Sequence, residues 1–123
     1  MAKGNELGEF TMTSTSATYE PGPAGSVLTK VNYEGTASGF GTVGGTATFV
    51  GGGKGGPMSW CGAAYTEAGD VMNGVGTGSY ESVGVHRWKI STVLRLSDGS
   101  EMLSEGELDL ATRTYKGKMY AWS

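Results

Sequence analysis

A chain of 123 residues has the length of one folded unit, and it is long enough to bury a core without covalent staples. Nine basic against twelve acidic residues give a formal charge of −3 with no basic cluster, which removes the counterion-release term that drives nucleic-acid binding. A single cysteine, Cys61, excludes an intrachain disulfide, and with a single histidine, His86, it falls short of any ordinary Cys/His zinc set, so neither a metal nor another cofactor is expected.

Glycine contributes 23 residues and proline 3, with threonine, serine, valine and tyrosine filling much of the remainder. That mixture disfavours long helices and suits strands. Along the chain, turn signals recur at YEPGPAG (19–25), SGFG (38–41), VGGGKGGP (50–57), TEAGD (66–70), ESVG (81–84), SDG (97–99) and ATRT (111–114), and they delimit eight strand-like segments.

The first segment opens on MAKGNELGEFTMTSTSA, which lacks the apolar stretch of a signal peptide, and no later run approaches the roughly 18 apolar residues needed to span a bilayer. The expectation is a cytoplasmic protein with no membrane partner. In the second segment Val27, Val31 and Tyr33 are expected to face inward. GFGTVG at 39–44 has the form GxGxxG, but GTATFV follows it as a strand, without the helix whose N-terminus would hold pyrophosphate. GGGKGG at 51–56 lacks the spacing and the following Ser/Thr of a P-loop and reads as a flexible loop. In the fourth segment Met58, Trp60 and Ala64 should point inward, with Cys61 opposite; in the fifth, Val71, Asn73, Val75 and Thr77.

The last three segments permit an argument about register, because cross-strand partners share a face and a one-residue slip inverts it. In VGVHRWKISTVLRL (83–96) the even positions His86, Trp88, Ile90, Thr92, Leu94 and Leu96 are mostly apolar and alternate with Arg87, Lys89, Ser91 and Arg95. A three-residue loop Ser97–Asp98–Gly99, with glycine in the left-handed conformation, pairs Trp88 with Leu108 and sets Arg95, Lys89 and Arg87 beside Glu101, Glu107 and Asp109. A two-residue Asp98–Gly99 turn would instead send Glu105 and Glu107 inward at a large desolvation cost. A four-residue ATRT loop pairs Leu110 with Tyr115, Asp109 with Lys116 and Glu107 with Lys118, and turns Tyr120 and Trp122 outward, where they offer a homo-oligomer contact.

Eight strands with an apolar inner surface predict an all-β, antiparallel, up-and-down eight-stranded barrel over residues 1–123, with a central cavity. A two-sheet β-sandwich is the alternative. In the barrel His86 lies inside near one mouth, beside Leu110 and Tyr115, as a candidate proton donor or acceptor. Tyr115 joins it as a catalytic candidate; Tyr33 and Asn73 are placed to bind a ligand oxygen, and Met58, Trp60 and Trp88 to wall the cavity.

The run YEGTASGFGTVGGTATFVGG (33–52) and the half that ends EGELDLATRTYKGKMYAW resemble the allene oxide cyclase-like barrels, including small bacterial proteins of unassigned function. The resemblance covers about two thirds of the chain, in rhythm rather than in a diagnostic motif, and no cyclase functional residue maps onto a position here. It implies an eight-stranded barrel, often oligomeric, with an apolar cavity; plant relatives cyclise a fatty-acid epoxide and dirigent relatives steer phenolic coupling. The functional expectation is a cofactor-independent isomerase, cyclase or lyase acting on a small apolar or aromatic molecule, with His86 as acid/base. A lipocalin-like carrier or sensor of the same kind of molecule is the alternative.

Overall fold

In the computed structural model, which describes residues 2–123, eight antiparallel strands close on themselves in sequence order: β1 (Lys3–Pro21), β2 (Val27–Ala37), β3 (Gly41–Val50), β4 (Gly55–Tyr65), β5 (Val71–Gly84), β6 (Arg87–Leu96), β7 (Glu101–Asp109) and β8 (Thr114–Trp122). A short 3-10 turn, Pro23–Gly25, links β1 to β2. Closure leaves no free sheet edge, so backbone groups that a sandwich would expose are paired all the way round. β1 is the longest strand because it serves two neighbours with stagger: Lys3 to Thr13 run along β8, and Phe10 to Pro21 along β2. Among the described residues no helix is long and apolar enough to cross a membrane.

The predicted β6–β7 register is the observed one. Trp88 lies opposite Leu108, Lys89 opposite Glu107 and Arg95 opposite Glu101. Gly99 takes the left-handed φ of 91° that the three-residue loop requires. Asp98 fastens that loop: its Oδ1 accepts from the Ser100 N–H at 2.9 Å and from the Ser100 hydroxyl at 2.6 Å, and these bonds hold its carboxyl below the usual range. Glu105 and Glu107 point outward, where Lys3 Nζ is 3.2 Å from Glu105 and Arg87 Nη2 is 2.6 Å from Glu107. These are exposed pairs, each contributing at most about 1 kcal/mol.

One hairpin along, the register differs from the expected one by two residues. The loop is Leu110 to Arg113, so Leu108 pairs with Tyr115, Glu107 with Lys116 and Glu105 with Lys118. Acidic residues recur at 105, 107 and 109, so a shift of two preserves both the inward face and every opposition of charge; side-chain pattern alone cannot separate the two pairings. The backbone can. Arg113 accepts the left-handed turn, with φ 60°, and its carbonyl receives the Ser14 N–H at 2.9 Å, which locks the loop onto β1.

β5 faces the opposite way from the expectation. Val71, Asn73, Val75 and Thr77 are exposed, and the inward row is Met72, Gly74, Gly76, Gly78 and Tyr80. The reason is room: a β-carbon on Gly78 would run into the Ser91 carbonyl oxygen, and one on Gly76 would meet Leu94 Cδ2 at 2.7 Å. β5 approaches β6 too closely on this face for the valine row to occupy it. In β2, Val31 and Tyr33 point inward as expected, while Val27 is exposed at the rim.

Candidate functional site

The side chains that fill mid-barrel are aromatic and lie on glycines. Trp60 Cζ2 sits 2.5 Å from where a Gly45 β-carbon would be, and Trp60 Nε1 2.8 Å from that of Gly62; Phe10 and Tyr115 cover Gly106 in the same way. These rings continue as a cluster across the interior. Phe10 and Tyr115 meet edge to face at 5.0 Å, Tyr33 and Tyr115 at 5.5 Å, and Tyr33 and Trp60 at 6.4 Å between centroids. The expected cavity space is present but divided: a cavity of about 450 Å³ at one end and one of about 80 Å³ at the other, with no lining residue in common.

The larger cavity opens at the end formed by the β1–β2, β3–β4, β5–β6 and β7–β8 connections. Its apolar side consists of Val31, Phe49, Tyr80, Trp88, Leu108 and Leu110, with Tyr33 at its inner end. Its polar side is Ser14 to Ser16, where β1 bulges against β2, together with Thr29 and Arg113. A bulge turns extra side chains toward a barrel rim, and here it brings a run of hydroxyls to the cavity. Across the mouth lies the Gly51–Gly53 segment, held from below by two aromatic donors. Trp88 Nε1 donates to the Gly53 carbonyl at 2.7 Å, and the Tyr80 hydroxyl donates to the Val50 carbonyl at 2.7 Å. The glycine loop expected to be free is pinned at both shoulders.

The sequence-predicted site residues therefore separate into three places. Tyr33 and Trp88 line the larger cavity, whereas Met58, Trp60 and Tyr115 line the smaller one on the far side of the aromatic cluster. His86 and Asn73 line neither. Asn73 falls on the outer face with the rest of its row; its side chain is exposed. His86 is also exposed, and it is not in a strand. Gly84 pairs with Arg87, so β5 runs on through the expected ESVG turn, and Val85–His86 form the two-residue turn instead. The turn needs a left-handed residue, and His86 supplies it at φ 53°, a conformation in which histidine is several-fold enriched over most non-glycine residues. Its ring stacks on Trp88 at 6.5 Å and 23°, so it stands on the rim rather than in the wall.

This geometry carries a prediction. His86→Gly relieves a left-handed non-glycine residue and is expected to change stability by no more than about 1 kcal/mol, toward greater stability. Binding in the larger cavity should be unaltered. Denaturant unfolding together with a probe titration checks both; a loss of binding would mean that the imidazole reaches the cavity in solution.

Several lining residues have no signature in the sequence. Tyr80 shares its inward row with three glycines, so the row shows no apolar run; Arg113 and Leu110 lie in a loop; Ser14 to Ser16 reach the cavity only through the bulge. A signal for Tyr80 exists in retrospect, since it stands two residues beyond Gly78 on a strict alternation of small residues.

Burial governs the buried titratable groups. It pushes the Tyr115 phenol up to about 12, with the Ser104 and Thr92 hydroxyls beside it pulling slightly the other way. Tyr33 is also pushed up, by burial first and by the adjacent Tyr115 second. Both phenols are protonated donors at neutral pH. Among the described residues no group of three or more His, Cys, Asp or Glu side chains is placed to hold a metal ion. Tyr120 and Trp122 alternate outward, half-buried, with Lys3 Nζ 4.5 Å over the Tyr120 ring. No family model matches the chain, and neither a curated protein nor a solved structure matches it.

Proposed function

We propose that the barrel binds a small, largely apolar or aromatic molecule in the larger cavity and acts as a carrier or sensor of it. The observation that carries this reading is the composition of the wall. A cavity of about 450 Å³ falls in the range used for small-molecule sites, and its lining combines five aromatic rings on Tyr19, Tyr33, Phe49, Tyr80 and Trp88 with hydroxyls and a single formal charge, Arg113. It contains no carboxylate and no imidazole, so proton transfer near neutral pH has no residue to perform it. An isomerase, cyclase or lyase using His86 would require the β5–β6 turn to fold inward over Trp88. Kinship with the allene oxide cyclase-like barrels is part of the same proposal; the closed eight-strand topology and an apolar cavity are what that kinship requires.

The test uses two fluorescent probes of similar shape, neutral N-phenyl-1-naphthylamine and anionic 1-anilinonaphthalene-8-sulfonate. Both are expected to bind, and Leu108→Trp, which fills the cavity from β7, should weaken both at least tenfold with the fold retained by circular dichroism. Arg113→Gln should weaken the anionic probe a few-fold and leave the neutral one unchanged, since Arg113 is exposed and its charge is partly screened. Probes insensitive to Leu108→Trp would remove the proposal. Mass spectrometry of molecules released from the saturated protein distinguishes a carrier, which returns its ligand intact, from an enzyme.

A further inference from the structure

The smaller cavity lies at the opposite end of the barrel, and five of the chain's six methionines, Met12, Met58, Met72, Met102 and Met119, line it. Thioether chains are unbranched and polarisable, and walls made of them reshape around apolar guests. At about 80 Å³ the space holds two or three water molecules at liquid density and is roughly half the size of a dry cavity that takes a benzene ring, so an aromatic guest requires the flexible thioether walls to move outward. No Lys, Arg, His, Asp or Glu touches it, so a charged guest would lose its hydration with nothing in return.

The same wall contains three buried hydroxyls, on Thr92, Ser104 and Tyr115, which are 2%, 6% and 3% exposed. Ser104 and Thr92 stand beside the Tyr115 phenol. The Thr92 hydroxyl donates to Met58 Sδ at 3.2 Å. A thioether is a weak acceptor, so this buried donor is engaged at less than its full strength and would gain from a proper oxygen. Apolar, adaptable walls around a few convergent polar groups are the usual constitution of a small-molecule site.

We propose that the methionine-lined cavity is a second ligand site, taking a small neutral molecule that joins one aromatic or apolar ring to one hydroxyl or carbonyl oxygen. The ring lies among the methionines and the oxygen meets the Thr92, Ser104 and Tyr115 hydroxyls. The two cavities have no lining residue in common and meet only through the ring cluster, where Tyr33 of the larger packs on Tyr115 and Trp60 of the smaller.

Phenol and toluene, equal in shape and different in one oxygen, are the probes. With methyl-¹³C methionine, titration of phenol should shift the methyl signals of the five lining methionines saturably. A purely apolar cavity prefers toluene, which has no hydroxyl to strip of water; here phenol is expected to bind at least as tightly. Tyr115→Phe keeps the ring in place and should swing the preference toward toluene by roughly five- to tenfold, the worth of one net hydrogen bond. Ser104→Ala should move it in the same direction, and Leu110→Trp at the rim of the larger cavity should leave the titration unchanged. Methionine signals that respond to neither probe would show the space to be packing only and overturn the proposal. So would a wild-type preference for toluene that Tyr115→Phe does not alter.

Discussion

Gly78→Ala is expected to destabilise the barrel by more than about 3 kcal/mol, enough to unfold a marginal domain of this size. The added methyl is directed at the Ser91 carbonyl oxygen and at Thr92 Cα, 2.8 Å away, and both belong to the backbone of β6. A flexible side chain could yield; a strand fixed by its own ladder cannot without breaking hydrogen bonds. Gly44→Ala is the matched control. Its β-carbon would meet nothing nearer than the Tyr33 carbonyl oxygen at 3.5 Å, an ordinary contact, so the change should stay within about 0.5 kcal/mol. Urea midpoints of the two variants should differ widely. Equal midpoints would mean that β5 does not lie glycine-side inward.

The second large effect is alkaline loss of stability. In the unfolded chain a tyrosine ionises near 10; in the barrel, burial holds Tyr115 protonated to about 12 and raises Tyr33 as well. The stabilisation from the protonated phenol is therefore complete below pH 10. It is lost as pH rises from 10 through 12, because the unfolded state releases the proton first. Each such group contributes a slope approaching 1.4 kcal/mol per pH unit, so Tyr115 alone removes about 2 kcal/mol by pH 12. Unfolding by urea across this window should show the decline, and Tyr115→Phe should make it shallower, because a phenylalanine has no proton to lose. A flat profile in the wild type would place the phenol in contact with water.

How much of this was legible depends on which force set each feature. The hairpin at Ser97–Gly99 and the faces of β6, β7 and β8 were readable because they follow from local chemistry: a left-handed glycine, an Asp cap, and apolar residues alternating with charges at the period of a strand. The two-residue slip at Leu110–Arg113 escaped because Glu105, Glu107 and Asp109 repeat at that same period, and the observed pairing is marked by backbone features, the left-handed Arg113 and the bond from the Ser14 N–H to its carbonyl. β5 was read inside out because a row of glycines gives no hydropathic signal while Val71 and Val75 do. Of the candidate site, Tyr33 and Trp88 face inward and line the larger of the two cavities that stand where one central cavity was expected. Asn73 went with the inverted strand, and His86 went with a turn whose centre lies three residues later than expected, at Val85–His86.

From composition and alternation alone, then, the chain determines eight strands and the outward placement of the charges on β6, β7 and β8, and it favours a closed barrel over a sandwich. These depend on interactions between near neighbours, where side-chain period and turn geometry leave few solutions. The division of the interior was decided only in three dimensions. Trp60, Phe10 and Tyr115 settle onto glycines contributed by other strands, and that long-range fit closes mid-barrel and leaves one cavity at each end. A glycine that makes room for a ligand and one that makes room for a distant ring are the same letter in a sequence; the difference is the side chain that arrives from across the barrel.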